Sequence, residues 1–352
     1  MKIDRVHFYC RNAVRTRDWF VQNIGFRAVG NCLSQHTQTE LISLNSACFL
    51  ISSPLNDASP VAQYLACHPE GIADIAFRVN NLTEILDRSR DLGLKLLQDV
   101  QVKQSPEGSY KLAQISGWQD LQHTLIEESG DRSCLPREIQ LDSNTDTCQS
   151  HITDIDHVVL NVASGQLDAA VELYQKLFDF QVQQSFDIQT SKSGLTSQAL
   201  INRARTVQFN INQPTTSNSQ IQEFIDLNCG SGIQHLALRS QNLIADVAWM
   251  QQKNVQFLTV PSAYYQNLKP FVALNLEERS AIEERQILVD GDPTAPKSLL
   301  MQVFTQPVLE QPTFFLEFIE RRQAARGFGR GNFQALFAAV EQHSENRSRL
   351  YK

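Results

Sequence analysis

The chain has 352 residues, a formal net charge of -7 and 42% hydrophobic residues, which is the composition of a globular protein of about two domains. The negative charge, without any basic stripe, excludes a general nucleic-acid-binding protein. No apolar run reaches the roughly 18 residues of a membrane span, and the N-terminus lacks a signal-peptide pattern. Seven scattered cysteines favour reduced thiols. We therefore expect a cytoplasmic protein without nucleic-acid or membrane partners.

The first half of the chain alternates strand and helix patterns. Strands are predicted at 5–10, 41–44, 47–51, 71–79 and 121–127, and helices at 14–24 and 82–92. Gly25 and Gly93 follow the helices, where a glycine commonly ends a helix. The stretch 129–150 is polar, contains Pro136 and has no periodicity, which predicts a loop or linker.

The pattern then restarts in the second half. Strands are predicted at 155–162, 198–201, 207–211, 232–239, 299–304 and 312–322, and helices at 167–178 and 242–252. We therefore predict an N-terminal domain at 1–130, a linker at 131–150 and a C-terminal domain at 151–352.

The two halves form an internal repeat. Residues 71–78 align with 232–239, residues 4–6 with 156–158, and residues 125–127 with 315–317. Each half contains the succession strand–helix–strands twice. The predicted fold class is therefore α+β, with tandem βαβββ units that curl two sheets into open barrels.

The repeat indicates a metal site in the second half alone. Three repeat-equivalent strand positions carry His157, His235 and Glu317 there. In the first half the alignment places Arg5, Asp74 and Glu127 at these positions. An arginine stays protonated and cannot bind a metal. Two histidines and one carboxylate form a facial triad, most often for ferrous iron, although Mn(II), Zn(II) and Ni(II) also fit such ligands.

The neighbouring residues indicate what the cavity binds. Gln302 and Phe304 share one strand face, as do Phe315 and Glu317, and Gln234 would face away from His235 in an ideal strand. Neutral polar groups come from Ser197, Asn212 and Gln220. Such a lining suits a small aromatic substrate with a polar tip, bound to the metal at its other end.

A glycine-rich segment at 327–333 precedes a predicted helix that Asn332 would cap. Phe333, Leu336, Phe337 and Val340 form its apolar stripe. The helix is either an ordinary docking helix or a lid over the cavity, because the glycines provide hinges.

These motifs together resemble the 4-hydroxyphenylpyruvate dioxygenase family of the vicinal-oxygen-chelate superfamily. The matching segments cover nearly all of the second half, in order: 156–162, 232–238, 264–268, 300–305, 312–317 and 327–333. The first half matches only as a degenerate repeat without a metal. The chain departs from the family pattern at Asn210, where Pro is usual, and at Leu160, where Gly is usual.

The resemblance implies that His157, His235 and Glu317 bind Fe(II), and that a C-terminal helix closes the site. It also implies pocket or hydrogen-bonding roles for Gln234, Gln302, Asn212, Ser197, Gln220, Phe304, Phe315, Asn332, Phe333 and Leu336. The implied reaction takes a small aromatic 2-oxo acid, 4-hydroxyphenylpyruvate, and O2 to homogentisate and CO2 in tyrosine catabolism. Relatives commonly self-associate, so the resemblance is compatible with a homodimer or homotetramer, but the sequence does not give the oligomeric state.

Three alternatives remain open at this point. A 4-hydroxymandelate synthase uses the same substrate and metal, and Phe333 favours the ring hydroxylase over it. A glyoxalase-like zinc or nickel lyase shares the fold, but the aromatic lining argues against that enzyme. A non-enzymatic small-molecule-binding protein would be expected to have lost the triad.

Overall fold

The computed structural model describes residues 1–105, 108–130, 140–141, 150–190, 193–268, 274–292, 294–329, 331–332, 335–337 and 339–340. No helix in these ranges is both long enough and apolar enough to cross a membrane.

The first half of the chain builds one nine-stranded sheet. Its strands follow one another across the sheet as β6-β7-β8-β5-β1-β4-β3-β2-β9. Its elements are β1 (Lys2–Tyr9), α1 (Ala13–Ile24), β2 (Arg27–Leu33), β3 (Thr37–Leu44), β4 (Ala47–Pro54), α2 (Pro60–Leu65), β5 (Gly71–Arg78), α3 (Leu82–Asp91), β6 (Leu96–Ser105), β7 (Gly108–Ser116), β8 (Gln122–Gly130) and β9 (Gln140–Leu141). The last strand comes from the stretch predicted as a linker and pairs with β2.

The second half builds an eight-stranded sheet in the order β11-β12-β13-β10-β14-β17-β16-β15. Its elements are β10 (Ile152–Asn161), α4 (Leu167–Phe178), β11 (Gln181–Gln189), β12 (Gly194–Ile201), β13 (Gln208–Pro214), α5 (Gln220–Leu227), β14 (Gly232–Ser240), α6 (Leu243–Gln252), α7 (Ser262–Gln266), α8 (Leu276–Glu284), β15 (Leu288–Asp292), β16 (Ala295–Phe304) and β17 (Phe315–Arg321).

Each half consists of two βαβββ units, as the repeat predicted. The units join through their first strands, which run antiparallel as β1 beside β5 and as β10 beside β14. The predicted fold class, tandem βαβββ repeats in two curled sheets, is confirmed. Since successive side chains on a strand face opposite ways, each strand contributes one row to the apolar core and one row to the concave face. On β13, Phe209 and Ile211 are fully buried in the core, whereas Asn210 and Asn212 line a cavity.

The pairing register corrects one position of the predicted repeat. Arg5 pairs with Ala76 and His157 pairs with Ala237, so these two alanines are equivalent. Ala237 pairs in turn with Glu317. In the first half, Phe77 pairs with Leu125, which places Thr124 beside Ala76. The equivalent of Glu317 is therefore Thr124, and the alignment with Glu127 was wrong.

Glu127 is instead the equivalent of Glu320, and both carboxylates serve the start of a helix. Glu127 accepts a hydrogen bond of 2.6 Å from the backbone N–H of Leu82, and Glu320 accepts one of 2.7 Å from Leu243. The sequence alignment failed because two glutamates three residues apart, each after an apolar pair, fit the same pattern. The first half thus retains the structural glutamate, not the one that faces the cavity.

The two halves meet through buried side chains. The Tyr174 hydroxyl lies 3.1 Å from Nε2 of His123, and the ring of Phe8 packs edge-on against Phe314. His123 is fully buried, so this contact is part of the core that joins the halves.

Candidate metal centre

Three central strands bring His157, His235 and Glu317 together. They lie on β10, β14 and β17, which are direct neighbours in the sheet. Oε2 of Glu317 is 3.2 Å from Nε2 of His157 and 3.5 Å from Nε2 of His235. The ligand atoms of the three residues all lie within 4.8 Å of one another. In the part of the chain that the structure describes, only this group brings three such ligands together.

Two β-bulges shape the site. The register of β10 against β14 shifts between Ile155 and His157, and again between Val159 and Leu160. The second shift lies opposite Gln234, so that Gln234 and His235 both line the cavity although they are consecutive. The expectation from an ideal strand, that Gln234 faces away, was therefore wrong. A bulge re-aims a side chain by inserting one residue into the ladder.

The first bulge gives His157 a buried carboxylate partner. Oδ1 of Asp156 lies 2.9 Å from Nδ1 of His157. Arg321 donates to both oxygens of Asp156, at 2.7 and 2.8 Å, and Arg239 donates to Oδ2 at 2.7 Å. A carboxylate on Nδ1 fixes the ring orientation and leaves Nε2 as the ligand atom, which is a common arrangement around protein-bound metals.

The charges of the site shift its pKa values in opposite directions. Burial lowers the pKa of His157, but Glu317 and Asp156 outweigh burial and raise it to about 9. Burial raises the pKa of Glu317, but His157 outweighs burial and lowers it to about 2. Burial lowers the pKa of His235. The pKa of Asp156 lies well below its usual range, since Arg321 and His157 outweigh its burial.

The donor set fits a divalent transition metal. Two imidazole Nε2 atoms and one carboxylate oxygen converge on one buried point, where their lone pairs repel unless a proton or cation lies between them. Two neutral nitrogen ligands and one carboxylate suit Fe(II) and leave positions open for further ligands.

A chain of side-chain hydrogen bonds holds the other oxygen of Glu317. Nε2 of Gln302 donates to Oε1 of Glu317 at 2.9 Å, and Nδ2 of Asn332 donates to Oε1 of Gln302 at 2.9 Å. The hydroxyl of Tyr264 donates to Oδ1 of Asn332 at 2.8 Å and accepts a hydrogen bond from the N–H of Val289 at 2.7 Å. These hydrogen bonds orient the carboxylate so that its other oxygen, Oε2, faces the two histidines.

The triad lies at a cavity with an empty volume of about 630 Å³, part of which is open to solvent. Its apolar wall includes the rings of Phe304, Phe315, Phe328 and Phe337 together with Leu336. Phe315 stacks on His235 with ring centroids 4.7 Å apart, and Phe328 meets His157 edge-on at 5.3 Å.

Most residues that the sequence predicted for the pocket line this cavity: Ser197, Asn212, Gln220, Gln234, Gln302, Phe304, Phe315 and Leu336. Asn332 reaches the site through Gln302 instead, and Phe333 lies outside the described residues. Residues 335–337 and 339–340 are helical, and Leu336, Phe337 and Val340 cover part of the cavity.

Sequence reasoning missed four functional residues. Asp156, Tyr264 and Phe328 belonged to the quoted motifs without an assigned role, and Arg321 lay within the predicted strand of Glu317. The only available signal was their place inside or beside those motifs.

The fold around the candidate metal centre is that of a known protein superfamily, as comparison with family models and solved structures shows. Residues 154–279 match the family model described as the Glyoxalase/Bleomycin resistance protein/Dioxygenase superfamily. The chain can be superposed on a triple mutant of 4-hydroxymandelate synthase from Streptomyces coelicolor with a TM-score of 0.87 and 25% identity, covering 97% of this chain and 98% of that one.

Relatives narrow the class to a family. An uncharacterized protein of Synechocystis sp. is 34% identical over 97% of both chains. The 4-hydroxyphenylpyruvate dioxygenase of Caenorhabditis elegans is 31% identical over 99% of this chain and 93% of its own, and that of Dictyostelium discoideum is 31% identical over 99% of both. The chain belongs to the 4-hydroxyphenylpyruvate dioxygenase family.

Proposed function

We propose that this protein is an Fe(II)-dependent 4-hydroxyphenylpyruvate dioxygenase that converts 4-hydroxyphenylpyruvate and O2 into homogentisate and CO2. The observation that carries the proposal is the triad of His157, His235 and Glu317 at a cavity with aromatic walls. Full-length similarity to dioxygenases of that name supports the choice of substrate.

Each side chain has a definable task in this reaction. The two histidines and Glu317 would hold Fe(II), which supplies a binding point for the 2-oxo acid and for O2 and the redox chemistry of oxidative decarboxylation. Gln302 keeps one oxygen of Glu317 occupied and the carboxylate in place. Asp156 sets the tautomer of His157 and balances its charge.

The cavity walls would position the aromatic ring. Phe304 and Phe315 line the cavity beside the triad and meet edge-on with centroids 6.3 Å apart, so they form a continuous apolar wall. Ser197, Asn212 and Gln234 supply neutral hydrogen-bonding groups to the same cavity. Residues 336, 337 and 340 limit the access of water, which protects reactive intermediates from side reactions.

The test is a product assay. Protein loaded with ferrous iron, given 4-hydroxyphenylpyruvate under O2, is expected to consume O2, release CO2 and form homogentisate, which chromatography with mass detection identifies. Glu317→Gln keeps the shape of the side chain but removes the anionic ligand, so it serves as the inactive control. Failure of the wild-type protein to take up O2 with any aryl pyruvate would refute the dioxygenase.

The same assay separates the sister activity. Formation of 4-hydroxymandelate in place of homogentisate would assign this chain to the benzylic hydroxylase, which its structural relative from Streptomyces coelicolor makes the second candidate. Metal analysis of protein purified without oxygen would identify a zinc or nickel lyase on this fold.

A further inference from the structure

One wall of the cavity carries a side-chain amide that the metal centre does not use. Asn210 lies on β13 between Phe209 and Ile211, which are buried in the core, and its own side chain lines the cavity. Asn210 is only 8% exposed, and its Oδ1 is buried without a hydrogen-bond partner in the described part of the chain. A buried amide left unpaired lowers stability, so a ligand that pairs with it would be favoured.

The register of the sheet places this amide near the metal ligands. Val159 pairs with His235 on one side and with Asn210 on the other, so that the three residues form one row across the sheet. Neighbouring strands are about 4.8 Å apart, which puts the Cα atoms of His235 and Asn210 roughly 10 Å apart. A 2-oxo acid held at the triad would extend its aryl group over a comparable length.

The neighbours of Asn210 do not satisfy it. Asn212, two residues further along β13, already donates to Oδ1 of Asn161 at 3.1 Å. Ala199, opposite Asn210 on β12, has no polar side chain. Gln220 lines the same cavity, and its Oε1 is likewise buried without a partner among the described residues. Two side-chain amides of the cavity lining therefore keep hydrogen-bonding capacity that the described residues do not use.

We propose that Asn210 is a specificity-determining residue whose side-chain amide forms a hydrogen bond with a hydroxyl group on the aromatic ring of the substrate. The proposal rests on the proposed function for the orientation of the substrate, with the acid at the triad. It gives the amide of Asn210 a partner that the described residues do not supply.

The experiment measures the binding of two keto acids that differ by one hydroxyl. Dissociation constants of 4-hydroxyphenylpyruvate and phenylpyruvate are obtained by calorimetry without oxygen, using the ferrous wild-type protein, Asn210→Leu and Asn210→Val. The wild type is expected to prefer the hydroxylated acid, and both variants are expected to lose about tenfold of that preference, because a site built to pair a hydroxyl discriminates against ligands that lack it.

Thermal unfolding of the ligand-free variants gives an independent readout. Replacing an unpaired buried amide with an apolar side chain is expected to leave the melting temperature unchanged or raise it. Asn202 provides the control, since its Oδ1 accepts from the N–H groups of Thr206 and Val207 at 2.8 and 3.0 Å. Asn202→Leu should lower the melting temperature and keep the preference for the hydroxylated acid.

An unchanged preference in both Asn210 variants overturns the proposal, and so does a clear loss of thermal stability in both. Turnover is scored separately. If the wild-type protein binds the hydroxylated acid preferentially but forms no product, the proposed reaction fails while the role of Asn210 stands.

Discussion

At the scale of single residues, the site depends on partners that stand behind the ligands. His157 is oriented by Asp156, and Asp156 is held by Arg321 and Arg239. Asp156 is 4% exposed, so its charge is tolerated only because two guanidinium groups neutralise it. The ring of His157 is therefore held with Nε2 directed at the metal position before a metal binds, so no conformational freedom of the ring is lost on binding.

Arg321→Met tests this arrangement. The change removes two hydrogen bonds to Asp156 and is expected to weaken Fe(II) affinity by about tenfold, because His157 loses its fixed orientation. Competition with a chromogenic chelator measures the affinity. Arg203→Met is the matched control, because Arg203 pairs with Asp179 at the surface. Equal affinity in both variants would show that the Asp156 cluster has no influence on the metal.

At the scale of elements, the segment that follows β17 closes the hydrogen-bond chain over the site. A Cβ atom at Gly329 would lie 1.9 Å from Oε1 of Gln302, and Gly329 has a left-handed φ of +73°. The backbone at Gly329 therefore lies so close to Gln302 that no residue with a Cβ atom fits there without displacing the Gln302 side chain. This contact, together with Asn332, keeps the amide of Gln302 turned towards Glu317.

Gly329→Ala is expected to displace the side chain of Gln302 and to break its hydrogen bond to Oε1 of Glu317. The carboxylate of Glu317 can then rotate, so kcat is expected to fall by tenfold or more. Gly165→Ala is the control, because Gly165 has a comparable φ of +80° but nothing within 4 Å of a new Cβ. Backbone strain should lower the free energy of unfolding by a similar amount in both variants. Only Gly329→Ala should also lose turnover, because only that change displaces Gln302.

At the scale of the whole molecule, the two halves share one core, and a buried histidine joins them. Burial lowers the pKa of His123 from 6.5 to about 4, and its ring contacts Tyr174 of the other half. The folded pKa lies below the unfolded one, so the folded state excludes the proton. The stabilisation is therefore fully present above pH 6.5 and is lost as the pH falls towards 4.

His123 is expected to contribute about 3 kcal/mol to the loss of folding free energy between pH 7 and pH 4. Denaturant unfolding of His123→Gln across this range should show a correspondingly flatter pH dependence. His36→Gln, at a partly exposed histidine, should follow the wild type. An identical slope for the variant at His123 and the wild type would contradict the assignment.

The sequence by itself determined the repeat, the strand and helix patterns and the three candidate ligands. These are local periodicities and residue types, which follow from the alternation of side chains along a strand. The cavity lining predicted from shared strand faces, such as Gln302 with Phe304, depends on the same alternation.

Only the tertiary structure decided which side chains meet across strands. The bulges that turn Asp156 towards His157 and Gln234 into the cavity depend on pairing with β14, and the equivalence of Glu317 with Thr124 depends on pairing with a third strand. Register is a property of two strands together, since one residue of shift moves a side chain to the other face. The unpaired amide of Asn210 became visible for the same reason, because a missing partner can be recognised only once every neighbour is placed.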